Sequence, residues 1–172
     1  MRLAILTISD AGSRGERADT SGDAIEAWAK ARGYTLAART LVPDETGRIV
    51  STLAQWCDGD QADLVLTTGG TGLSPRDVTP EATRAVMERE APGISERLRL
   101  LAIQSFPKAA LSRGVAGIRH RTLIVNLPGS PSGVKDDLAG LDPIIDHAVA
   151  VMRGDFTEHR EQPNSPAAQK PR

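Results

Sequence analysis

Ala62-Asp63-Leu64-Val65-Leu66-Thr67-Thr68-Gly69-Gly70-Thr71-Gly72 is the stretch that decides the fold. An apolar run of strand length passes straight into a turn built of Gly69, Gly70, Thr71 and Gly72. This is the pattern of a buried strand ending in a tight backbone turn. Glycines leave main-chain N–H groups free to approach an anion and to take positive φ. The turn is not a P-loop, because no Gly-Lys-Ser/Thr follows. It is not the dinucleotide fingerprint either, because Pro75 stands where the third glycine belongs.

Working outward, Arg2 to Ser9 and Tyr34 to Val42 read as two earlier strands, the second closed by Pro43. Ile25, Trp28 and Ala29 mark a helix between them, with Gly33 as its stop. Ile49, Leu53, Trp56 and Cys57 recur at helical spacing and place Cys57 as a core thiol. Beyond the glycines, Thr79-Pro80 reads as N-cap and first position of a helix. Ile94, Leu98 and Leu101 share one face of the next, which ends before Pro107. Thr122 to Leu127 is the last clear strand, pairing with Gly114–Ile118, and Ser130-Pro131 and Asp142-Pro143 each read as a helix start. Alternating strands and helices predict an α/β fold: a mostly parallel sheet covered by helices on both faces. From Asp155 onward the chain is polar and Pro-rich without periodicity, so residues 1–154 are expected to form one domain and 155–172 a disordered tail.

Open parallel sheets bind ligands beyond the carboxyl ends of their strands. Ser9-Asp10 follow the first strand, Pro43-Asp44 the second, the glycine turn and Asp77 the third, and Pro128-Gly129-Ser130 the last. Three carboxylates and two anion-friendly turns should therefore meet on one rim. The helix start after Ser130 adds free N–H donors and a positive dipole end. Asp77 lies outside its helix, where Thr79 already fills the cap position, so no structural role is left for it. Asp44 could instead cap the second helix, and Asp10 reads as a loop or cap residue. A hard cation such as Mg²⁺ would relieve the repulsion between two such carboxylates, using one or two of them plus substrate phosphates. Arg14 and Arg113 could meet phosphate or simply sit in solvent. His120, His147 and His159 lack metal-ligand spacing, and Pro131 occupies the serine position of a would-be nucleophile elbow.

Composition excludes several classes. The 172 residues suit a single domain, and 21 basic against 22 acidic side chains leave a net charge of −1. So balanced a chain does not coat polyanions or basic-anchor on membranes, and aromatics at 3% cannot build base-stacking platforms. No run approaches the ~20 apolar residues of a membrane span, and Leu3 to Ile8 is too short for a signal-peptide core. A cytoplasmic protein binding neither nucleic acid nor membrane is expected. One cysteine makes no internal disulfide.

Taken together, the segments resemble the MogA/MoaB family of molybdenum-cofactor biosynthesis. They are Ile8-Ser9-Asp10, Val42-Pro43-Asp44-Glu45, Leu66 to Gly72, Arg76-Asp77-Val78-Thr79-Pro80-Glu81-Ala82, Leu111-Ser112-Arg113 and Asn126-Leu127-Pro128-Gly129-Ser130-Pro131. The order is the family's and covers roughly residues 2–153. The likeness is greatest to its adenylyltransferase branch, and Asp19-Thr20-Ser21-Gly22 is similar to the plant-type loop. The resemblance implies a three-layer sandwich and the transfer of AMP from ATP to the terminal phosphate of molybdopterin, with Mg²⁺. It implies Asp44 and Asp77 as catalytic and metal residues. It also implies Ser9, Asp10, Thr68, Gly69, Gly70, Thr71, Gly72, Ser112, Asn126, Pro128, Gly129 and Ser130 as binding residues. A homotrimer and transient contacts with other enzymes of the pathway are implied as well. Two rivals stand beside this reading: a non-catalytic molybdopterin-binding homologue, and the domain of competence/damage-inducible proteins with pyridine-nucleotide or ADP-ribose chemistry.

Overall fold

The computed structural model describes residues 1–155. The expected tail lies, from residue 156 on, outside the described residues. Strands β1 (Arg2–Ile8), β2 (Thr35–Val42), β3 (Leu64–Thr68) and β6 (Thr122–Leu127) run parallel, and β4 (Arg89–Glu90) and β5 (Ala116–Arg119) complete the sheet in the order β2-β1-β3-β6-β5-β4. The strand over 114–118 does pair with 122–127, and the pairing is antiparallel, as is that of β4 with β5. The two-residue β4 escapes sequence reading because Arg89 and Glu90 are both exposed and carry no apolar alternation.

The buried strands alternate their side chains between two cores. Leu3, Ile5, Leu64, Leu66, Leu123 and Val125 meet the helices α2 (Thr20–Ala31), α5 (Pro92–Ile103), α6 (Pro131–Leu141) and α7 (Ile145–Arg153). Ala4, Leu6, Ile8, Val65 and Ile124 meet α3 (Thr46–Asp58) and α4 (Thr79–Val86) on the other face. Both faces are thus covered, giving the three layers that the period-two and helical patterns imply. Cys57 is buried among the second set, and that burial pushes its thiol up to about 11.

The strand order switches at β1, with β2 on one side of it and β3 on the other, so the carboxyl ends of the parallel β2, β1, β3 and β6 open on one crevice. Several helix starts differ from expectation. Thr79 is the first residue of α4 rather than its cap, and Val78 takes the cap position without a side-chain bond. Glu45, not Asp44, precedes α3, and it too makes no side-chain cap bond. Asp142 closes α6 instead of opening α7, and its carboxylate accepts from Trp28 Nε1 and Arg32. A short helix α1 (Asp10–Ser13), capped by Ser9, interrupts the loop after β1. Ser130 caps α6 as expected, accepting from Gly133 N.

Candidate active site

The glycine turn is held from three sides. Gly69 and Gly70 both have positive φ, +98° and +63°. A Cβ on Gly69 would lie 2.1 Å from the Ile8 carbonyl oxygen, and one on Gly70 would lie 2.3 Å from Thr79 Oγ1. Only glycine satisfies both the backbone and the space here. Thr79 Oγ1 donates to the Gly69 carbonyl at 2.9 Å, and Thr79 is itself the first residue of α4, after Val78. Thr68 Oγ1 donates to the Pro128 carbonyl at 2.6 Å and ties the turn to the one after β6. Arg113 completes the hold: its main-chain N–H reaches the Thr71 carbonyl, Nε reaches the Gly72 carbonyl at 2.7 Å, and Nη2 reaches the Asp77 carbonyl. Its remaining amino group pairs with Glu81. Arg113 is therefore a staple for the turn, with its side chain half-buried, while Arg14 pairs with the neighbouring Glu16 at the surface.

Two of the three rim carboxylates, Asp10 and Asp44, are bound to other loops of the rim. Asp10 N donates to Asp44 Oδ2 at 2.8 Å, and Asp44 N donates to Asp10 Oδ1 at 3.0 Å. This reciprocal tie joins the ends of β1 and β2. Arg76 then clamps Asp10 through Nε and Nη2 at 2.9–3.0 Å. The Asp44 amide and Arg76 hold the Asp10 carboxyl below its usual range. Asp44 is shifted the other way: desolvation, then repulsion from Asp10 and Asp77, raises it against the pull of the Asp10 amide. Asp77 does have a local role, since its Oδ2 accepts from Ser74 N at 2.8 Å and closes the turn before α4. The sequence pattern hides this bond because Ser74 belongs to no helix or strand.

Across the crevice, Gly129 and Ser130 face the glycine turn. A Cβ on Gly129 would come within 3.3 Å of Gly69 Cα, so the two backbones pass in close contact. Ser21 Oγ donates to the Gly129 carbonyl at 2.8 Å, bringing the start of α2 to the same place. Asp19 caps α2 through Gly22 N and is held by Thr7 Oγ1 and Arg39. Asn126 is buried under the rim: Nδ2 donates to Thr67 and Thr83, and Oδ1 accepts from Val115 N. It braces the floor, with both amide hydrogens in use. Ser112 Oγ accepts from Gly114 N at 3.3 Å.

Two cavities open onto this rim. The smaller, about 330 Å³, is lined by Ser9, Asp44, Thr68, Gly69 and the segment leading into α2, including Arg17 and Asp19. The larger, about 800 Å³, runs between α5 and α6 and is lined by Thr71, Gly72, Arg99, Ser112, Asn126, Pro128 and Asp137 among others. Gly70, Asp77, Gly129 and Ser130 line both. Asp10 lines neither; it supports Asp44 from behind. Sequence reading missed Asp19, Arg17, Arg99 and Asp137. For Asp19 the Asp-Thr-Ser-Gly cap pattern was a usable signal, whereas nothing local marks the others.

The sheet, its switch-point crevice and the paired turns on one rim define an α/β domain with the layout of a ligand-binding fold. Residues 4–147 match the family described as probable molybdopterin binding domain, and the chain belongs to that family. It is 44% identical over 144 residues to the molybdopterin adenylyltransferase of Escherichia coli, covering 82% of this chain and 73% of that one. The molybdenum cofactor synthesis protein cinnamon of Drosophila melanogaster is 41% identical over 154 residues, and the chain spans about a quarter of that relative's length, 26%. The crystal structure of the molybdopterin biosynthesis enzyme MoaB of Thermus thermophilus superposes with a TM-score of 0.84 at 51% identity, covering 89% of this chain and 96% of that one.

Proposed function

We propose that this chain transfers AMP from ATP to the terminal phosphate of molybdopterin. The observation that carries the reading is the pair of cavities that share a wall of Gly70, Asp77, Gly129 and Ser130. A transfer between two bound anions needs two pockets whose phosphate ends meet, with N–H donors at the junction. The adenylyltransferase of Escherichia coli, similar over most of this chain, supports the choice of reaction.

In the reaction a terminal phosphate oxygen of molybdopterin attacks the α-phosphorus of ATP. A new P–O bond forms, the bond from that phosphorus to the bridging oxygen breaks, and pyrophosphate leaves with the electron pair. No protein nucleophile is required. The Thr68–Gly72 turn holds nucleotide phosphate oxygens, and the Asn126–Ser130 turn with Ser112 holds the pterin side. Ser9 and Asp10 shape the entrance through α1 and the Asp44 loop.

Among the described residues no group of three His, Cys, Asp or Glu side chains forms a ready-made metal cage. Asp44 and Asp77 on one cavity wall suit Mg²⁺, which takes one or two carboxylates and completes its shell with water and phosphate. Desolvation first, and then repulsion from Asp10 and Asp77, raises the Asp44 carboxyl, and a cation beside it would offset that repulsion. Bound there, Mg²⁺ would offset charge on the triphosphate. Asp44 and Asp77 serve to fix its place, and the glycine turn serves to align the α-phosphorus.

The exposed Leu100, Leu101, Ile103, Phe106 and Leu111 on α5 and the following 3₁₀ turn (Pro107–Leu111) support a homotrimer, which light scattering would test against a mass near one chain. No described helix is long and apolar enough to cross a membrane, in keeping with work in the cytoplasm beside other enzymes of the same pathway. The decisive test is incubation with molybdopterin, ATP and Mg²⁺. Pyrophosphate release is expected. Molybdopterin binding with no pyrophosphate would make the chain a binding module instead.

A further inference from the structure

The larger cavity carries two opposite charges that do not pair with each other. Asp137 projects from α6 and lines the cavity, and it makes no side-chain hydrogen bond or ion pair among the described residues. Arg99 lines the same cavity from α5. Its Nη1 donates to the carbonyls of Gly114 at 2.8 Å and Ser112 at 3.4 Å, and Nη2 reaches toward Ser95 Oγ at 3.5 Å. A guanidinium has five N–H donors. Nε–H and one hydrogen of Nη2 therefore remain free, on a head fixed by backbone carbonyls. Among the described residues it makes no close ion pair, and Asp137 across the cavity is the carboxylate that feels its charge.

Burial, with Asp136 beside it, pushes the Asp137 carboxyl up to about 7, and Arg99 pulls the other way. Asp77, Lys108 and Asp136 are the remaining charged groups on the cavity wall. Asp137 is half-buried and its carboxylate opens to the cavity rather than to a protein donor, which suits a ligand that brings N–H groups. Two adjacent donors suit the two carboxylate oxygens, and an acceptor beside them suits Arg99.

We propose that Asp137 and Arg99 read the amide edge of the molybdopterin ring, Asp137 accepting from the 2-amino group and N3–H and Arg99 donating to the 4-oxo oxygen. This rests on the molybdopterin reading above. It also assigns the cavities. Adenine alternates a donor amino group with an acceptor ring nitrogen along its edge, so it would set a lone pair against one Asp137 oxygen. The larger cavity is therefore the pterin's and the smaller the nucleotide's. The placement fits the length of the molecule: Asp137 lies about 10 Å along α6 from the Ser130 cap, at 1.5 Å per residue. A fused-ring ligand whose phosphate sits at the shared wall spans that distance.

The test compares 6-hydroxymethylpterin with its 2-oxo analogue, 6-hydroxymethyllumazine, by quenching of their fluorescence. The analogue replaces the 2-amino donor with an acceptor. Wild-type protein should bind the pterin tighter by at least about tenfold, the scale of one charge-assisted pair. Asp137→Asn and Asp137→Ala should lose that preference. Both should raise the KM for molybdopterin by about tenfold, with kcat and the KM for ATP changed by less than about twofold. An unchanged preference in both variants, a rise confined to the KM for ATP, or no binding of either pteridine by wild type would overturn the proposal. If wild type binds the pterin selectively but releases no pyrophosphate, adenylyl transfer is wrong and the Asp137 assignment stands on the quenching data.

Discussion

The two cavities differ in how their charges are held. Around the smaller one the carboxylates already have partners: Asp10 and Asp44 tie each other's backbones, Arg76 clamps Asp10, and Asp77 closes its own turn. Around the larger one, Asp137 and the free edge of Arg99 face open space. Prearranged, interlocked groups suit a phosphoryl reaction, where the chemistry is positioning and charge stabilisation. Unpaired groups suit recognition, because the ligand itself supplies the missing partners. The molecule thus separates where a substrate is transformed from where it is told apart from others.

The largest effect that could break this contrast is at Asp77. Asp77→Asn keeps an oxygen for Ser74 N but removes a charge, and turnover should fall at least about a hundredfold, with molybdopterin affinity little changed. Asp44→Asn should behave similarly, and the double variant should be less than additive because both residues serve one site. Near-normal turnover in folded Asp77→Asn, checked by circular dichroism, would remove the metal assignment. Next comes Arg113→Ala. It strips donors from the carbonyls of Gly72 and Asp77 and should cost about 2 kcal/mol in urea unfolding, with turnover falling as the glycine turn loosens.

The larger cavity should show its own pH signature. Protonation of Asp137 removes the acceptor, so pterin affinity should fall about tenfold from pH 8 to pH 6, as expected for a group titrating near 7. The stability sign is opposite to that of a salt-bridged carboxylate. The raised group binds a proton more tightly in the folded state, so its share of stability is present at low pH and lost as pH rises through about 7. Asp137→Asn should therefore raise the Tm at pH 8 and leave it unchanged at pH 4. Smallest of all, Arg14→Ala should alter neither melting nor turnover, because its pair with Glu16 is fully in solvent.

The rim itself was legible because strand, turn and helix signals are local. Leu64 to Thr68 reads as buried, and the glycines after it admit only a tight turn. Asp44 and Asp77 stand in the loops just past the carboxyl ends of their strands, where a parallel sheet binds its ligands, and both line the crevice. Errors arose where a side chain bonds to something distant in the chain. Thr79 serves the Gly69 carbonyl, ten residues back, from inside the first turn of α4 rather than from its cap. Asp142 serves Trp28 and Arg32 across the helical layer, and so opens no helix. Arg113, one arginine among many in the sequence, is the staple of a turn some forty positions earlier.

Residue order alone settled the α/β alternation, the buried character of the central strands and the position of the glycine turns, because periodicity and glycine conformation act over a few bonds. Tertiary packing decided the rest. It made the antiparallel edge, joined Asp10 to Asp44, and set Asp137 opposite Arg99 in a shared cavity. On a helix, Asp136 and Asp137 read only as polar positions. Whether such a group meets water or a ligand depends on which helix packs beside it, and α5 is brought there by the sheet between them in the chain.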